Sequence, residues 1–337
     1  EDRKGIRGLT VVDAESINIS NYKCKGAFYG SGLYLYNYRY ATLDGIYLPD
    51  CGMKVNPTTD DTGVYDAAGD GLYLGSVQGH GLTIISNMYA SSQVGYYGRA
   101  GIAIEQFAND TLSHLVTLNN ADFDGYQRIL HQEDHGVNRI VWNNGSAKNF
   151  SNMLYNLDGK PDINYLDATN IKIEVNPDFA YGGTSGINNF QNFGDMYLNN
   201  CDIEYLVNVQ ERGNKFISGG TLKLNNAVVD HAVSSKTHTI NNVKVYSNGG
   251  QLYYTSENKG VNISGGSLNG VAGSLTNIIR SFNSAININS GCKLQDCSLF
   301  GENTLPIGEA KNVISDSEIT YTGSTTGVLF NGSYDSA

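Results

Sequence analysis

The chain has 337 residues, of which 40% are hydrophobic and only 16% charged, and its net charge is −11. That apolar content supports a sizeable core, while the charge falls below the roughly 25% usual for globular domains. No basic cluster is longer than Arg3-Lys4 and no apolar run is long enough to span a bilayer, so neither nucleic-acid binding nor membrane insertion is expected.

The missing charge is replaced by Gly (40 residues), Asn, Ser and 23 Tyr, whereas Pro occurs five times. Long amphipathic helices are not found, so the composition predicts an all-β protein of many short strands and polar turns. The opening residues EDRKGIRG lack the apolar core of a signal peptide, strand pattern begins almost at once, and the chain stops just after a strand-like run, GVLFNGS. A piece of a longer protein is therefore expected. The cysteines, Cys24, Cys51, Cys201, Cys292 and Cys297, are odd in number and form no CxxC pair. They predict buried free thiols rather than a zinc site, with Cys201 and Cys297 in equivalent positions after a turn.

A weak repeat runs through the turns: an apolar residue, then Asn or a small polar residue, then Asn or Asp. It begins at Ile19-Ser20-Asn21 and Ile85-Ser86-Asn87 and returns at Leu118-Asn119-Asn120, Trp142-Asn143-Asn144 and Leu198-Asn199-Asn200. Leu224-Asn225-Asn226, Ile240-Asn241-Asn242, Ile263-Ser264-Gly265, Leu294-Gln295-Asp296 and Ile314-Ser315-Asp316 continue it. The gaps from 21 to 85 and from 144 to 198 are each long enough to hide a missed coil. Asp44-Gly45-Ile46-Tyr47-Leu48 also returns as Asp70-Gly71-Leu72-Tyr73-Leu74, with Gly32–Leu35 and Gly101–Ile104 as weaker relatives. Alternation places Leu and Ile on one face and Tyr on the other. Gly and Asn supply the backbone angles that turn corners.

Such coils bury their apolar face only by stacking, so the expected fold is a right-handed parallel β-helix solenoid of about a dozen coils of ~25 residues. A single domain over 1–337 is expected, with long loops at 52–69 and 176–195. The chain thereby resembles the pectin-lyase-like superfamily and, within it, the receptor-binding and depolymerase body of a phage tailspike. The resemblance is architectural and covers nearly the whole chain. It implies a homotrimer at a virion tail or in another extracellular setting, acting on bacterial surface polysaccharide. Asp60-Asp61-Thr62 and Gly79-His80-Gly81 are similar to short motifs of that superfamily, but their surroundings differ, and they do not define a polygalacturonase.

Aligning the coils by their turns yields a column of strands that end in a carboxylate: Gly101–Glu105, Arg128–Glu133, Met153–Asp158, Tyr205–Glu211, Leu252–Glu257 and Leu305–Glu309. Coils stack about 4.8 Å apart. Glu105, Glu133 and Asp158 would then form an outward row suited to glycoside hydrolysis, which needs carboxyl groups ~5 Å apart for retention and ~6.5–9.5 Å for inversion. His131 and Asp134 lie beside Glu133 in LHQEDHG, an acid and imidazole group that a hydrolase or a lyase would use. Glu204 and Glu211 form a second-choice acidic pair. Candidate substrate contacts are Tyr96, Tyr97, Arg99, Trp142, Arg212, Tyr253 and Tyr254, with Tyr34 and Tyr36 as further aromatic faces. Arg280 offers a charge for a sugar carboxylate or for an ion pair. No cofactor is expected; calcium is the one metal for which the loop Asp60, Asp61, Asp66 and Asp70 carries the right oxygens, in a spacing that fits no EF-hand. The leading reading is a polysaccharide-hydrolysing depolymerase. A non-catalytic receptor-binding adhesin and a polysaccharide lyase are the alternatives.

Overall fold

In the computed structural model, every regular element among the described residues is a β-strand. The described residues are 7–27, 30–52, 69–76, 81–92, 98–106, 113–133, 137–150, 152–156, 165–174, 176, 188–191 and 195–205. To these are added 209–210, 213–225, 228–230, 237–254, 260–271, 276–281, 286–288, 292–300, 303–304, 309–315 and 329–331. The chain divides into two compact units, Glu1–Gly194 and Asp195–Ala337.

The first unit contains β1 (Leu9–Ser20), β2 (Leu33–Leu48), β3 (Asp70–Ser76), β4 (Gly81–Ser91), β5 (Gly98–Gln106) and β6 (Ser113–Asp124). It continues with β7 (Tyr126–Glu133), β8 (Val137–Lys148), β9 (Asn152–Asn156), β10 (Tyr165–Glu174) and β11 (Asn188–Gln191). The last of these falls within the stretch 176–195 expected to be loop. The pairings are parallel and join each coil to the next, which makes this unit a parallel β-helix. One series of paired strands runs β1–β2–β4–β6–β8–β10. A second runs from the start of β2 through β3, β5, β7, β9 and β11.

The turn repeat marks a corner between two walls of the first series. In β6, His114, Val116 and Leu118 are buried, then Asn119 and Asn120 turn outward, and Ala121 and Phe123 are buried again. Asn120 has φ 55°, a left-handed angle that bends the strand and restarts the alternation on a new wall. Asn tolerates that angle better than most residues with a side chain. The same position on neighbouring coils is held by Asn87, Asn144 and Asn170, all left-handed. Their amides form rungs between coils: Asn120 Nδ2 donates to Asn87 Oδ1 at 3.1 Å, and Asn170 Nδ2 to Asn144 Oδ1 at 3.1 Å. Gly45, with φ 67°, lies over Asn21 and is the member hidden between 21 and 85, while Asn170 fills the other gap. A second run of rungs follows at the far edge of this wall. There Asn149 Nδ2 donates to Asp124 Oδ1 at 2.7 Å, and Asn176 Nδ2 to Asn149 Oδ1 at 3.0 Å.

Inside the corner, Leu43, Ile85, Leu118, Trp142 and Ala168 stack in register and are all buried. The small Ala168 accommodates Trp142 on the adjacent coil, and Phe123 meets the indole edge-on at 5.6 Å. A polar group lies within this apolar interior. Thr83 Oγ1 lies 2.7 Å from the Tyr38 hydroxyl and 2.9 Å from Nε2 of the fully buried His114.

The second repeat is not what its sequence suggests. Asp44–Leu48 and Asp70–Leu74 do not occupy one column, because Tyr47 pairs with Tyr89 whereas Tyr73 pairs with Tyr34 and Ala103. The weaker relatives, Gly32–Leu35 and Gly101–Ile104, are the true neighbours of Asp70–Leu74.

The second unit comprises β12 (Asp195–Tyr205), β13 (Val209–Gln210), β14 (Lys215–Asn225), β15 (Val228–Asp230), β16 (Thr237–Asn241), β17 (Lys244–Asn248), β18 (Gln251–Tyr254) and β19 (Gly260–Ser264). It ends with β20 (Ser267–Asn269), β21 (Thr276–Ser281), β22 (Ile286–Ile288), β23 (Lys293–Phe300), β24 (Asn303–Thr304), β25 (Glu309–Ser315) and β26 (Leu329–Asn331). Its strands again pair in parallel, and its corner is built from Asn200, Gly219, Asn242 and Gly265, all left-handed. Three expected members of the repeat do not belong to that corner. Leu224 pairs with Tyr205 and Ser247, Leu294 pairs with Leu268, and Ile314 pairs with Ser298, all on later walls of their coils. Cys297 pairs with Thr276 and Cys201 with Gly220, so these two cysteines are not equivalent. Cys51, Cys201 and Cys292 are buried free thiols, as expected, and Cys24 is half-buried.

Replacing Asn120 with Ala removes both the tolerated backbone angle and the rung, and should cost about 1–2 kcal/mol in urea unfolding. Asn120→Gly keeps the angle and should cost less. Burial lowers the His114 imidazole to about 4, and burial together with the Lys215 charge lowers His238 to about 3. The unfolded chain takes up these protons near pH 6.5, so stability should fall as pH drops from there toward 4, by ~1 kcal/mol per unit for each histidine. A denaturation series across that range should show a shallower slope in His114→Gln.

Candidate functional site

The second strand series of the first unit gathers polar and aromatic side chains outside the aliphatic core. Register decides which of them meet. Tyr36 pairs with Gly75, Gly75 with Glu105, and Glu105 with Glu133. One row over, Tyr34 pairs with Tyr73, Tyr73 with Ala103, and Ala103 with His131. Leu33, Leu35, Leu72, Leu74, Ile102, Ile104 and Leu130 supply the buried aliphatic side of these strands.

The tyrosines stack ring on ring from one coil to the next. Tyr34 and Tyr73 have centroids 4.4 Å apart and nearly parallel planes, and the Arg7 guanidinium sits 3.8 Å above the Tyr34 ring. Gly75 matters because a Cβ there would come within 2.9 Å of the Tyr36 ring and 3.0 Å of the Tyr73 ring. Its missing side chain lets these aromatics approach the backbone of the row that carries Glu105. Burial raises the Tyr34 phenol, the Arg7 charge opposes that shift, and the nearby Glu105 carboxylate adds to it. Glu105 itself is only 8% exposed.

An ion pair braces the entry to these strands. Arg99 Nε donates to Asp70 Oδ1 at 2.9 Å, and Nη2 to Oδ2 at 2.7 Å, with both side chains almost wholly buried. Arg99, read from sequence as a substrate contact, is thus engaged by a carboxylate on the neighbouring coil. Asp70, read as part of an acidic calcium loop, is taken by the same bond. Asp60, Asp61 and Asp66 lie outside the described residues, and among the described residues no cluster suited to a metal ion occurs.

The remaining candidates fall as follows. Glu105 and Glu133 are brought together at the backbone, on adjacent coils. His131 is fully buried, and Arg128 Nη1 lies 3.5 Å from both of its ring nitrogens. Asp158, Asp134, Tyr96, Tyr97, Glu211 and Arg212 lie outside the described residues. Trp142 is a core residue with no exposed surface, so it offers no face to a ligand and its assignment as a sugar contact is corrected. In the second unit, Glu204 sits on β12 and accepts a 2.7 Å hydrogen bond from Asn225 Nδ2. Tyr253 and Tyr254 lie on β18, paired with Arg280 and Ser281 of β21. Sequence reasoning missed Arg7, Tyr73 and Arg128 as parts of the wall. The signal available for Tyr73 was its place in the Gly-Leu-Tyr-Leu relatives, which is also what pairs it with Tyr34.

The geometry defines the class of protein as a parallel β-helix whose tyrosine-lined wall runs beside two glutamates paired through their backbones. No protein-family model, curated protein or solved structure matches the chain.

Truncating Asp70 to Ala removes the carboxylate that holds the buried Arg99 charge by two bonds, and should destabilise the fold by about 3–5 kcal/mol. The double replacement Asp70→Leu with Arg99→Met should recover much of that loss, as measured by thermal and urea unfolding.

Proposed function

We propose that this protein is a polysaccharide depolymerase that hydrolyses glycosidic bonds of a bacterial surface polysaccharide, capsule or lipopolysaccharide O-antigen, with Glu105 and Glu133 as the acidic pair. The observation that carries this reading is the in-register pairing of the two glutamates on adjacent coils. Paired strands run about 4.8 Å apart. That spacing falls near the ~5 Å separation at which one carboxyl protonates the leaving oxygen while the other attacks the anomeric carbon. Retention of configuration is the corresponding stereochemical outcome. A virion-tail or other extracellular setting and a homotrimeric assembly belong to the same proposal, on the strength of the tailspike resemblance.

The acidic net charge and the tyrosine content suit a surface that meets neutral sugar hydroxyls, since a phenol offers both an apolar ring and a hydrogen-bonding tip. A second reading, a receptor-binding adhesin that grips without cutting, is favoured by the low exposure of Glu105 and the complete burial of His131. A lyase would use His131 or Glu133 to remove the proton beside a sugar carboxylate.

Incubation with capsule or lipopolysaccharide separates the three. New reducing ends without ultraviolet absorbance from unsaturated uronate are expected; both signals together would indicate the lyase, and binding with neither would indicate the adhesin. Glu133→Gln and Glu105→Gln should each lower turnover by about 10²–10⁴-fold while leaving unfolding midpoints and sugar binding intact. Unchanged turnover in both variants would exclude this pair.

A further inference from the structure

Cys24 and Cys51 take no part in the wall just described, yet they lie together on adjacent coils, one shortly after β1 and the other shortly after β2. The segments that hold them are pinned side by side: the Cys24 amide donates to the Tyr47 carbonyl at 3.1 Å, and the Gly52 amide to the Ala27 carbonyl at 2.8 Å. Asp50, with φ 55°, turns the chain just before Cys51. The Cys51 thiol then reaches back to donate to the Cys24 carbonyl at 3.4 Å, which brings its sulfur against the segment that carries the Cys24 thiol.

Both sulfurs occupy space that glycines leave open. A Cβ at Gly8 would come within 2.6 Å of Cys24 Sγ, and one at Gly32 within 2.8 Å of Cys51 Sγ. These glycines are neighbours too, joined by the Leu9 amide donating to the Gly32 carbonyl at 3.3 Å. Each sulfur therefore lies against one of two glycine segments that are hydrogen-bonded to each other on adjacent coils. Cys51 is buried and Cys24 half-buried, so a reagent from solvent reaches Cys24 first.

We propose that Cys24 and Cys51 are a redox pair that closes to a disulfide between two adjacent coils. The oxidant is a small-molecule disulfide such as oxidised glutathione. The Cys24 thiolate attacks one of its sulfurs, forming a mixed disulfide and releasing one glutathione thiolate. The Cys51 thiolate then attacks the Cys24 sulfur, the mixed disulfide breaks, and the second glutathione leaves. Two protein thiols are oxidised, one glutathione disulfide is reduced, and the two protons end on two glutathione thiols. Burial pushes the Cys51 thiol up to about 12, so the second displacement is the slow one and quickens as pH rises. The product staples the first described coil of this unit to the next.

Thiol titration of the whole chain in denaturant, after incubation with oxidised glutathione at pH 8 and quenching with acid, tests this. The reduced protein carries five thiols, and the oxidised one should carry three, that is five minus two. Peptide mapping without reductant should join the Cys24 and Cys51 peptides, and the thermal midpoint of the oxidised protein should rise and return on reduction. Cys24→Ser and Cys51→Ser should each form no internal disulfide. Retention of five thiols by the parent protein, a glutathione adduct that never resolves, or a crosslink between other cysteines would overturn the proposal. The parent measurement needs no variant, so a misfolded substitution leaves the test intact.

Discussion

The corner residue that takes a left-handed backbone angle governs the rest of this structure. A strand that merely alternates would run straight, exposing one side of every coil. Asn87, Asn120, Asn144 and Asn170 each bend their strand at the same place, and the bend delivers the next apolar residue back to the interior. Their side chains then bond to the equivalent amide one coil away, so the angle that turns the chain also fixes its height on the stack. Where Gly45 or Gly219 stands at the corner, the angle is kept and the rung is absent. Coil stacking, core composition and the placement of outward side chains all inherit their register from this position.

The fold is legible in the sequence because that constraint writes itself into residue types. Apolar-Asn-Asn marks the last inward residue, an outward one and the corner. Gly45 escapes the pattern because glycine satisfies the angle without the amide, and Asn170 because Ala168 and Thr169 replace the usual apolar and amide residues before it. The assignment of walls is harder. All walls alternate with the same period, so Asp44–Leu48 and Asp70–Leu74 look alike although hydrogen bonding places them on different series. Leu224-Asn225-Asn226 and Leu294-Gln295-Asp296 fall to the same ambiguity. Pairing across coils is a long-range property, and short strings carry no label for it.

The candidate site shows the same division. Glu105 and Glu133 are legible as neighbours because both end strands of one column, and alignment of two adjacent coils needs only local counting. Trp142 and Arg99 are different, since a large aromatic and a guanidinium read as surface groups until their surroundings are known. Burial against Phe123 and a carboxylate on the next coil decide their roles. Arg7 over Tyr34 leaves no signal at all, because the contact joins residues on different coils through side chains alone.

The Tyr38, Thr83 and His114 group inside the first unit has a consequence of a different kind. An aliphatic stack is indifferent to which coil lies above it; Leu on Ile is about as good as Ile on Leu. A hydrogen-bonded hydroxyl and imidazole are not indifferent, because displacement by one coil would leave each of them facing hydrocarbon with its bonding capacity unmet. The three residues therefore act as an address, telling three particular strands, out of many that are chemically alike, that they belong next to one another.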